Sequence, residues 1–371
     1  MPEAWKIPMA DPFIGEEEAR AVYDVVLSGW LSAGPKVPEF ERRFADLVGV
    51  HHAIAFCNGT VALHSILIAL GIGAGAEVIV PDITFISSAT SVLHAGALPA
   101  FVDVEAQTLG IDPDDIERRI TPRTKAIMPV HYAGQSADLD PVLEIAARYN
   151  LAVIEDAAEA HAAEYKGRKV GSFGRAAMFS FTPNKNMTTG EGGIVTTNDA
   201  QLASQLRMLR NHGSSAPYVY DNVGYNYRMT EMQAALGIEQ LKKLSRIITH
   251  KHALAAAYTA RLEACPGIEP PTALADRTHT YQMYTIRVNP QIIPIARDQL
   301  CERLAAEGIQ TRVCFPALHR QPIFAAYANA HASLHNSAQI ADEILSLPIN
   351  GKMTDANVNF VCDCIEKAMR V

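Results

Sequence analysis

The chain has 371 residues, 49% of them hydrophobic and 19% charged, with a formal net charge of −8. That length exceeds one simple core and suggests two domains at roughly 100–200 residues each, while the mildly acidic balance speaks against nucleic acid as a partner. The six cysteines (Cys57, Cys265, Cys301, Cys314, Cys362, Cys364) show no C-x-x-C pair and no histidine at ligand spacing, so they read as reduced, mostly buried thiols and no metal centre is expected. The N-terminus lacks the basic-then-apolar pattern of a signal peptide, and no apolar run approaches the ~18 residues of a membrane span. No membrane partner is expected, and the cytoplasm is the simplest compartment.

Between about residues 50 and 200 short β-rich runs alternate with helical stretches, the pattern of an α/β fold with a mostly parallel sheet. Strands are predicted at 53–56, 77–80, 100–102, 126–130, 152–154, 176–181 and 194–197, and helices at 61–70, 87–94, 113–119 and 140–149. Asn198-Asp199 then opens a long helical region. After the Pro/Gly-rich stretch 265–271 the composition changes, and a smaller α/β lobe is expected with strands at 284–288 and 311–315 and helices at 296–307 and 354–369. Ligands in open α/β sheets bind at the carboxyl ends of strands. That rule directs attention to 57–60, 82–85, His131-Tyr132, Asp156 and the segment around Lys185.

Lys185 lies in a Ser/Thr/Gly-rich loop between two predicted strands, which suits a Schiff-base amine: it needs a rigid loop anchored at both ends and small neighbours that admit a cofactor. Asp156 ends the apolar run 151–154, where its carboxylate could keep a pyridine nitrogen protonated; judged alone it also reads as a helix cap. Asn58-Gly-Thr-Val61 follows a strand and opens a helix. Gly59, the Thr60 hydroxyl and the free N–H of Val61 suit a phosphate cup, and the same residues equally suit a plain cap. Phe85, just past a strand, could stack on a flat cofactor or fill the core, and the Ser180 hydroxyl could add to a phosphate site. Gly71-Ile-Gly-Ala-Gly-Ala76 fits a dinucleotide pattern but follows a helix and precedes a strand, the wrong order for that fingerprint. His51-His52 and His250-Lys-His252 lack a third ligand and read as surface histidines.

These residues, with Ser28-Gly-Trp-Leu-Ser-Ala-Gly34, Phe40-Glu41, Asp82-Ile-Thr-Phe85, Ile154-Glu-Asp-Ala-Ala-Glu159, Ser180-Phe-Thr-Pro-Asn-Lys185, Thr188-Thr-Gly-Glu-Gly-Gly193 and Gly224-Tyr-Asn-Tyr-Arg-Met229, closely resemble the sugar aminotransferases of the DegT/DnrJ/EryC1/StrS family. The resemblance spans nearly the whole chain. It implies a PLP-dependent transferase fold of type I, the aspartate-aminotransferase type, with a mostly parallel seven-stranded sheet. The large PLP-binding domain would cover residues 1–250 and a smaller C-terminal α/β domain residues 251–371. It further implies pyridoxal 5′-phosphate on Lys185, Asp156 at the pyridine nitrogen, Glu159 near the cofactor O3′, Phe85 on the ring, and Gly59, Thr60, Val61 and Ser180 at the phosphate. Asn226 would reach the partner's cofactor in a homodimer with a shared active site, Arg228 would face substrate, and His319 either reaches the substrate or lies on the surface. The implied reaction moves an amino group from an amino acid, by analogy L-glutamate, to a nucleotide-linked 4-keto-6-deoxyhexose. Ketocyclitol aminotransferases and a non-catalytic PLP-binding regulator share the same residues, whereas sugar dehydratases of this fold carry histidine at the position of Lys185.

Overall fold

The computed structural model describes residues 5–293, 295–327 and 334–369. Strands β1 (His52–Phe56), β2 (Glu77–Pro81), β3 (Leu98–Val102), β4 (Thr124–Ile127), β5 (Ala152–Asp156), β6 (Ala176–Ser180) and β7 (Gly193–Thr197) form one sheet in the order β1-β7-β6-β5-β4-β2-β3. The pairs from β3 through β6 are parallel, and β7 runs antiparallel to both β1 and β6. All seven strands expected between residues 50 and 200 are present, and no end is shifted by more than three residues.

The strands are apolar on consecutive residues because both faces of the sheet are covered. Ala53, Ala55, Ala177, Phe179 and Ile194 point toward α2 (Lys36–Val48) and pack with Phe40 and Phe44. Ile54, Phe56, Met178 and Val195 point the other way, onto α3 (Gly59–Ala69) and α7 (Ala200–Arg210). In α2 the buried positions Val37, Phe40, Phe44 and Val48 recur every three or four residues, the stripe of an amphipathic helix. Phe44 meets Phe179 and Phe181 edge-on at centroid distances of 5.0 and 5.5 Å, and truncating a ring buried this way costs about 3–5 kcal/mol. Helices α4 (Ser87–His94), α5 (Pro113–Arg119) and α6 (Leu139–Tyr149) complete the crossovers.

The 32-residue α8 (Glu231–Leu262) joins the two halves of the chain. It packs on α1 (Glu16–Ser28) and α2, then reaches α11 (Asp355–Met369), where Arg261 meets Asp363 and Glu366 at 2.8 and 2.5 Å. Residue 250 lies inside this helix. Beyond it, β8 (Ile268–Glu269), β9 (Tyr284–Val288) and β10 (Ile344–Leu347) form a small antiparallel sheet, with α9 (Arg297–Ala306) and α10 (His335–Glu343).

Two expectations need revision. Residues 311–315 are not a strand: after one bridge from Arg312 to Ser346, the Cys314 carbonyl accepts from the Tyr132 hydroxyl instead of a neighbouring strand. The place beside β9 is taken by β10. The helical region opened by Asp199 stops at Arg210, because His212 and Gly213 turn with φ of 59° and 75° and the chain folds back so that Asn211 bridges to Asn226. A 20-residue connection carrying a short hairpin, Ser214–Ala216 against Val219–Tyr220, then separates α7 from α8. No helix among the described residues is long and apolar enough to cross a membrane.

Candidate active site

β5 delivers two carboxylates to opposite faces of the sheet. Asp156 is buried; its Oδ2 accepts from the Ser88 hydroxyl at 2.7 Å and its Oδ1 from the Ala158 N–H at 3.1 Å. Burial pushes its pKa up, only partly offset by those hydrogen bonds and by the nearby Lys185 charge. A buried acid with so few donors still has acceptor capacity for a protonated ring nitrogen. That capacity fits a pyridine cofactor.

Lys185 is placed as the sequence suggested, on a loop pinned at both ends. Phe181 donates to the Gly192 carbonyl at 2.9 Å and Thr189 to the Phe181 carbonyl at 3.0 Å, closing the loop at its base. On either side of the lysine, Gln282 Nε2 holds the Asn184 carbonyl at 2.5 Å and Asn186 Nδ2 donates to the Thr280 carbonyl at 3.1 Å. The lysine side chain is 10% exposed and its Nζ lies 3.2 Å from Glu159 Oε1. Glu159 is itself fixed, its Oε2 accepting from the Ala133 N–H at 2.9 Å. Behind the loop the buried His161 ring packs on Phe179 and Phe181, and burial, then the Lys185 charge, lowers its pKa to about 3. It is neutral at any ordinary pH.

Gly59 opens α3 against the end of β6. A Cβ there would stand 3.0 Å from Met178 Sδ and 3.2 Å from Ser180 Cβ, so glycine keeps the helix N-terminus and the Ser180 hydroxyl side by side. Asn58 caps the helix, its Oδ1 accepting from the Val61 N–H at 3.0 Å, and Thr60 Oγ1 lies 2.8 Å from Ser87 Oγ. Cap and cup thus coexist. Asn58 serves the helix, while the hydroxyls of Thr60, Ser87 and Ser180 gather where an anion gains from the helix N-terminus. Phe85 is 55% exposed although Asp82, Ile83 and Thr84 before it are buried, and its ring meets Phe315 edge-on at 5.8 Å. An aromatic ring left open beside buried neighbours suits stacking on a planar group.

His319 is clasped to the large sheet: its backbone N–H donates to Asp82 Oδ1 at 2.8 Å and its Nδ1 to Oδ2 at 2.6 Å. Arg228 bridges to Phe56 at the end of β1, and Asn226 to Asn211. Asn226 is exposed, and Arg228 donates to Asn211 Oδ1 at 2.7 Å beside a cavity of about 460 Å³ lined also by Gly34, Arg207 and Arg210. Neither Lys185 nor Asp156 borders that cavity.

Sequence reasoning missed the turn residues that hold Asp156. Thr84 and Ser88 are four apart and their hydroxyls lie 2.8 Å from each other, with Ser88 passing the bond on to Asp156. The i, i+4 spacing of two hydroxyls was the available signal. Lys251 was passed over inside His250-Lys-His252; the structure buries it under the Lys185 loop, whereas His250 binds the Met353 carbonyl at 2.9 Å.

Comparison with known proteins identifies the family. Residues 12–366 match the model of the DegT/DnrJ/EryC1/StrS aminotransferase family. GDP-perosamine synthase of Caulobacter vibrioides is 42% identical, over 98% of both chains. Among solved structures, DesV of S. venezuelae, in complex with a ketimine intermediate, superposes with a TM-score of 0.93 at 38% identity, covering 98% of this chain and 99% of that one. DesI, solved in the presence of its TDP-sugar product, gives a TM-score of 0.92 at 32% identity, covering 100% of this chain and 94% of that one.

Proposed function

The chain belongs to the DegT/DnrJ/EryC1/StrS aminotransferase family, and on that premise we propose that it moves an amino group from L-glutamate to a nucleotide-linked 4-keto-6-deoxyhexose, with pyridoxal 5′-phosphate as its cofactor. The observation that carries this reading is the grouping of Lys185, Glu159 and Asp156 past the carboxyl ends of the central strands β5 and β6, beside the Gly59–Ser180 cradle. When bound, the cofactor supplies an electron sink that lets a substrate carbon lose a proton. The protein's own residues do the rest. Asp156 holds the ring nitrogen in its protonated form, Phe85 covers the ring face, and the Thr60 and Ser180 hydroxyls take the phosphate, the Val61 N–H being engaged by the Asn58 cap. Lys185 acts first as nucleophile and then as the base and acid that moves a proton at the substrate carbon. Glu159, in contact with Lys185, orients the amine.

The acceptor assignment follows the GDP-perosamine synthase relative and the sugar product of DesI. Within the same reading the chain works as a homodimer. Asn226 and Arg228 reach the partner's site, and the exposed apolar side chains Leu27, Trp30, Tyr218 and Val223 meet the second copy. Division after residue 250 into a large cofactor-binding unit and a smaller C-terminal unit, with His319 brought to the acceptor from the latter, belongs to this reading too.

Incubation with glutamate and a panel of keto-sugar nucleotides and ketocyclitols, read by mass spectrometry, tests it. A mass gain for the amino product on a 4-keto sugar nucleotide is expected. Amination of a ketocyclitol alone would replace the acceptor, and no product with any acceptor would leave a cofactor-binding regulator. Lys185→Ala should abolish turnover, a loss of at least about 10⁴-fold for removal of nucleophile and proton carrier together; wild-type activity in this variant would sink the proposal.

A further inference from the structure

Lys251 is a buried amine that the proposed reaction does not use. It projects from α8, is 4% exposed, and among the described residues has no carboxylate within 4.0 Å; Nζ donates to Asn186 Oδ1 at 2.7 Å and to the Gln282 carbonyl at 3.4 Å. Asn186 directly follows Lys185, and Gln282 holds the Asn184 carbonyl that precedes it. Lys251 and Lys185 also border one small cavity of about 20 Å³, room for about one water. An ammonium without a counter-ion is an expensive thing to bury, whereas a neutral amine that donates two hydrogen bonds and keeps a free lone pair is not.

Any amine that attacks a carbonyl must first be neutral. Lys185 Nζ donates to Glu159 Oε1 at 3.2 Å. We propose that Lys251 is the proton acceptor for Lys185: the proton that the Lys185 ammonium sheds passes to the Lys251 amine, directly or through one water in the shared cavity. One N–H bond breaks at Lys185 and one forms at Lys251, and no outside base is consumed. The Asn186 and Gln282 oxygens already in place receive the new ammonium.

The surrounding charges suit such a transfer. Burial, then repulsion from Lys185, lowers the Lys251 pKa to about 7, with Glu159 opposing, so the amine is free to accept near neutral pH. Transfer removes the Lys185 charge and with it part of that depression. The other groups that face the pair leave it intact: His161 is neutral with a pKa of about 3, burial pushes the Cys314 thiol up to about 11, and Asp156, itself shifted up by burial, attracts Lys185. Matching of acceptor to working pH is what makes general bases efficient.

The inference rests on Lys185 being the nucleophile of the proposed function, and the test separates the two. Capture of pyridoxal phosphate by the cofactor-free full chain, followed by absorbance between pH 6 and 9, should show an acid limb near neutrality. In Lys251→Met the rate at pH 7.5 should fall about tenfold as the limb moves alkaline by roughly one pH unit, while Lys251→Arg, which keeps the charge but cannot accept, should be as slow. Profiles that superimpose on wild type overturn the proposal. Should Lys251→Met fail to fold, lysine-labelled ¹³C NMR of wild type and Lys185→Met reads the pair without cofactor: the Lys251 titration should move up when Lys185 is removed, and an unmoved midpoint is equally fatal. A wild type that captures no cofactor overturns the proposed function, and the NMR comparison still decides whether the amines are coupled.

Discussion

Glu155 and Asp156 are neighbours on β5, both buried and both acidic, yet they serve opposite ends. Alternation along a strand sends them to different faces. Glu155 meets four donors: the N–H groups of Gly171, Phe173 and Gly174 at 2.7, 2.8 and 2.9 Å, and His131 Nε2 at 3.1 Å. His131 Nδ1 accepts from the Ala137 N–H at 3.2 Å, which leaves Nε2 to donate to Glu155. Gly174 makes this nest possible, since a Cβ there would collide with the Val153 carbonyl. Burial alone would raise the Glu155 pKa, but His131 and the backbone donors outweigh it and hold it below the usual carboxylate value. Asp156, with two donors, is shifted the other way. A carboxylate whose lone pairs are filled by the protein is committed to structure, and one left short is available to a ligand.

Substitutions at the two positions should therefore separate activity from stability. Asp156→Asn should lower transamination by about 10³-fold, the size expected when a preorganised charge at the reacting group is lost. Its cofactor-free stability at pH 7 should change by no more than about 1 kcal/mol. The sign follows from linkage: a folded-state pKa raised above 3.8 makes the ionised acid a cost that grows as pH climbs through that value, and asparagine removes the cost. A thermal melt of the cofactor-free variant that drops by as much as a core truncation would break the distinction.

Glu155→Gln should do the reverse. Its amide nitrogen would face N–H groups that need an acceptor, costing about 3 kcal/mol by denaturant titration, with residual turnover in whatever fraction stays folded. A depressed folded pKa contributes stability that is fully present above 4.5 and is lost as pH falls through the folded value. The wild-type acid limb should thus be steeper than that of Glu155→Gln, measured by melting temperature between pH 3 and 6. Equal slopes would mean that Glu155 is not the pinned member of the pair.

Much of this was legible without coordinates, for identifiable reasons. The strands announced themselves because a sheet covered on both faces needs unbroken apolar runs, and Lys185 and Asp156 stood out because each ends or follows such a run. Residues 311–315 misled because Val313, Cys314 and Phe315 are apolar for packing under the interface with Tyr132 and Phe85, not for a ladder. The long helix expected after Asp199 failed at two left-handed residues, His212 and Gly213, of which only the glycine signals a turn. Lys251 carried no sequence signal at all, since a lysine between two histidines reads as surface until the fold buries it.

The smallest effect isolates how Asp156 is aimed. Ser88 receives the Thr84 hydroxyl contact at 2.8 Å and donates to Asp156 Oδ2 at 2.7 Å, a two-link chain anchored in the buried start of α4. It touches neither Lys185 nor Glu159 in any hydrogen bond. Ser88→Ala would remove one of two donors from a buried carboxylate, a charge-assisted bond worth about 1.5–3 kcal/mol before relaxation. The Asp156 pKa should rise further, because the bond to Ser88 opposes its upward shift. Turnover should fall about tenfold on the acid side of the pH profile and recover toward wild type as the pH is raised, since the ionised acid is the working form and alkali restores it. Ser88→Thr, which keeps the hydroxyl, should retain the wild-type pH profile. A tenfold loss that is flat with pH would assign Ser88 to packing, and Asp156 would then be aimed by the Ala158 N–H and the strand alone.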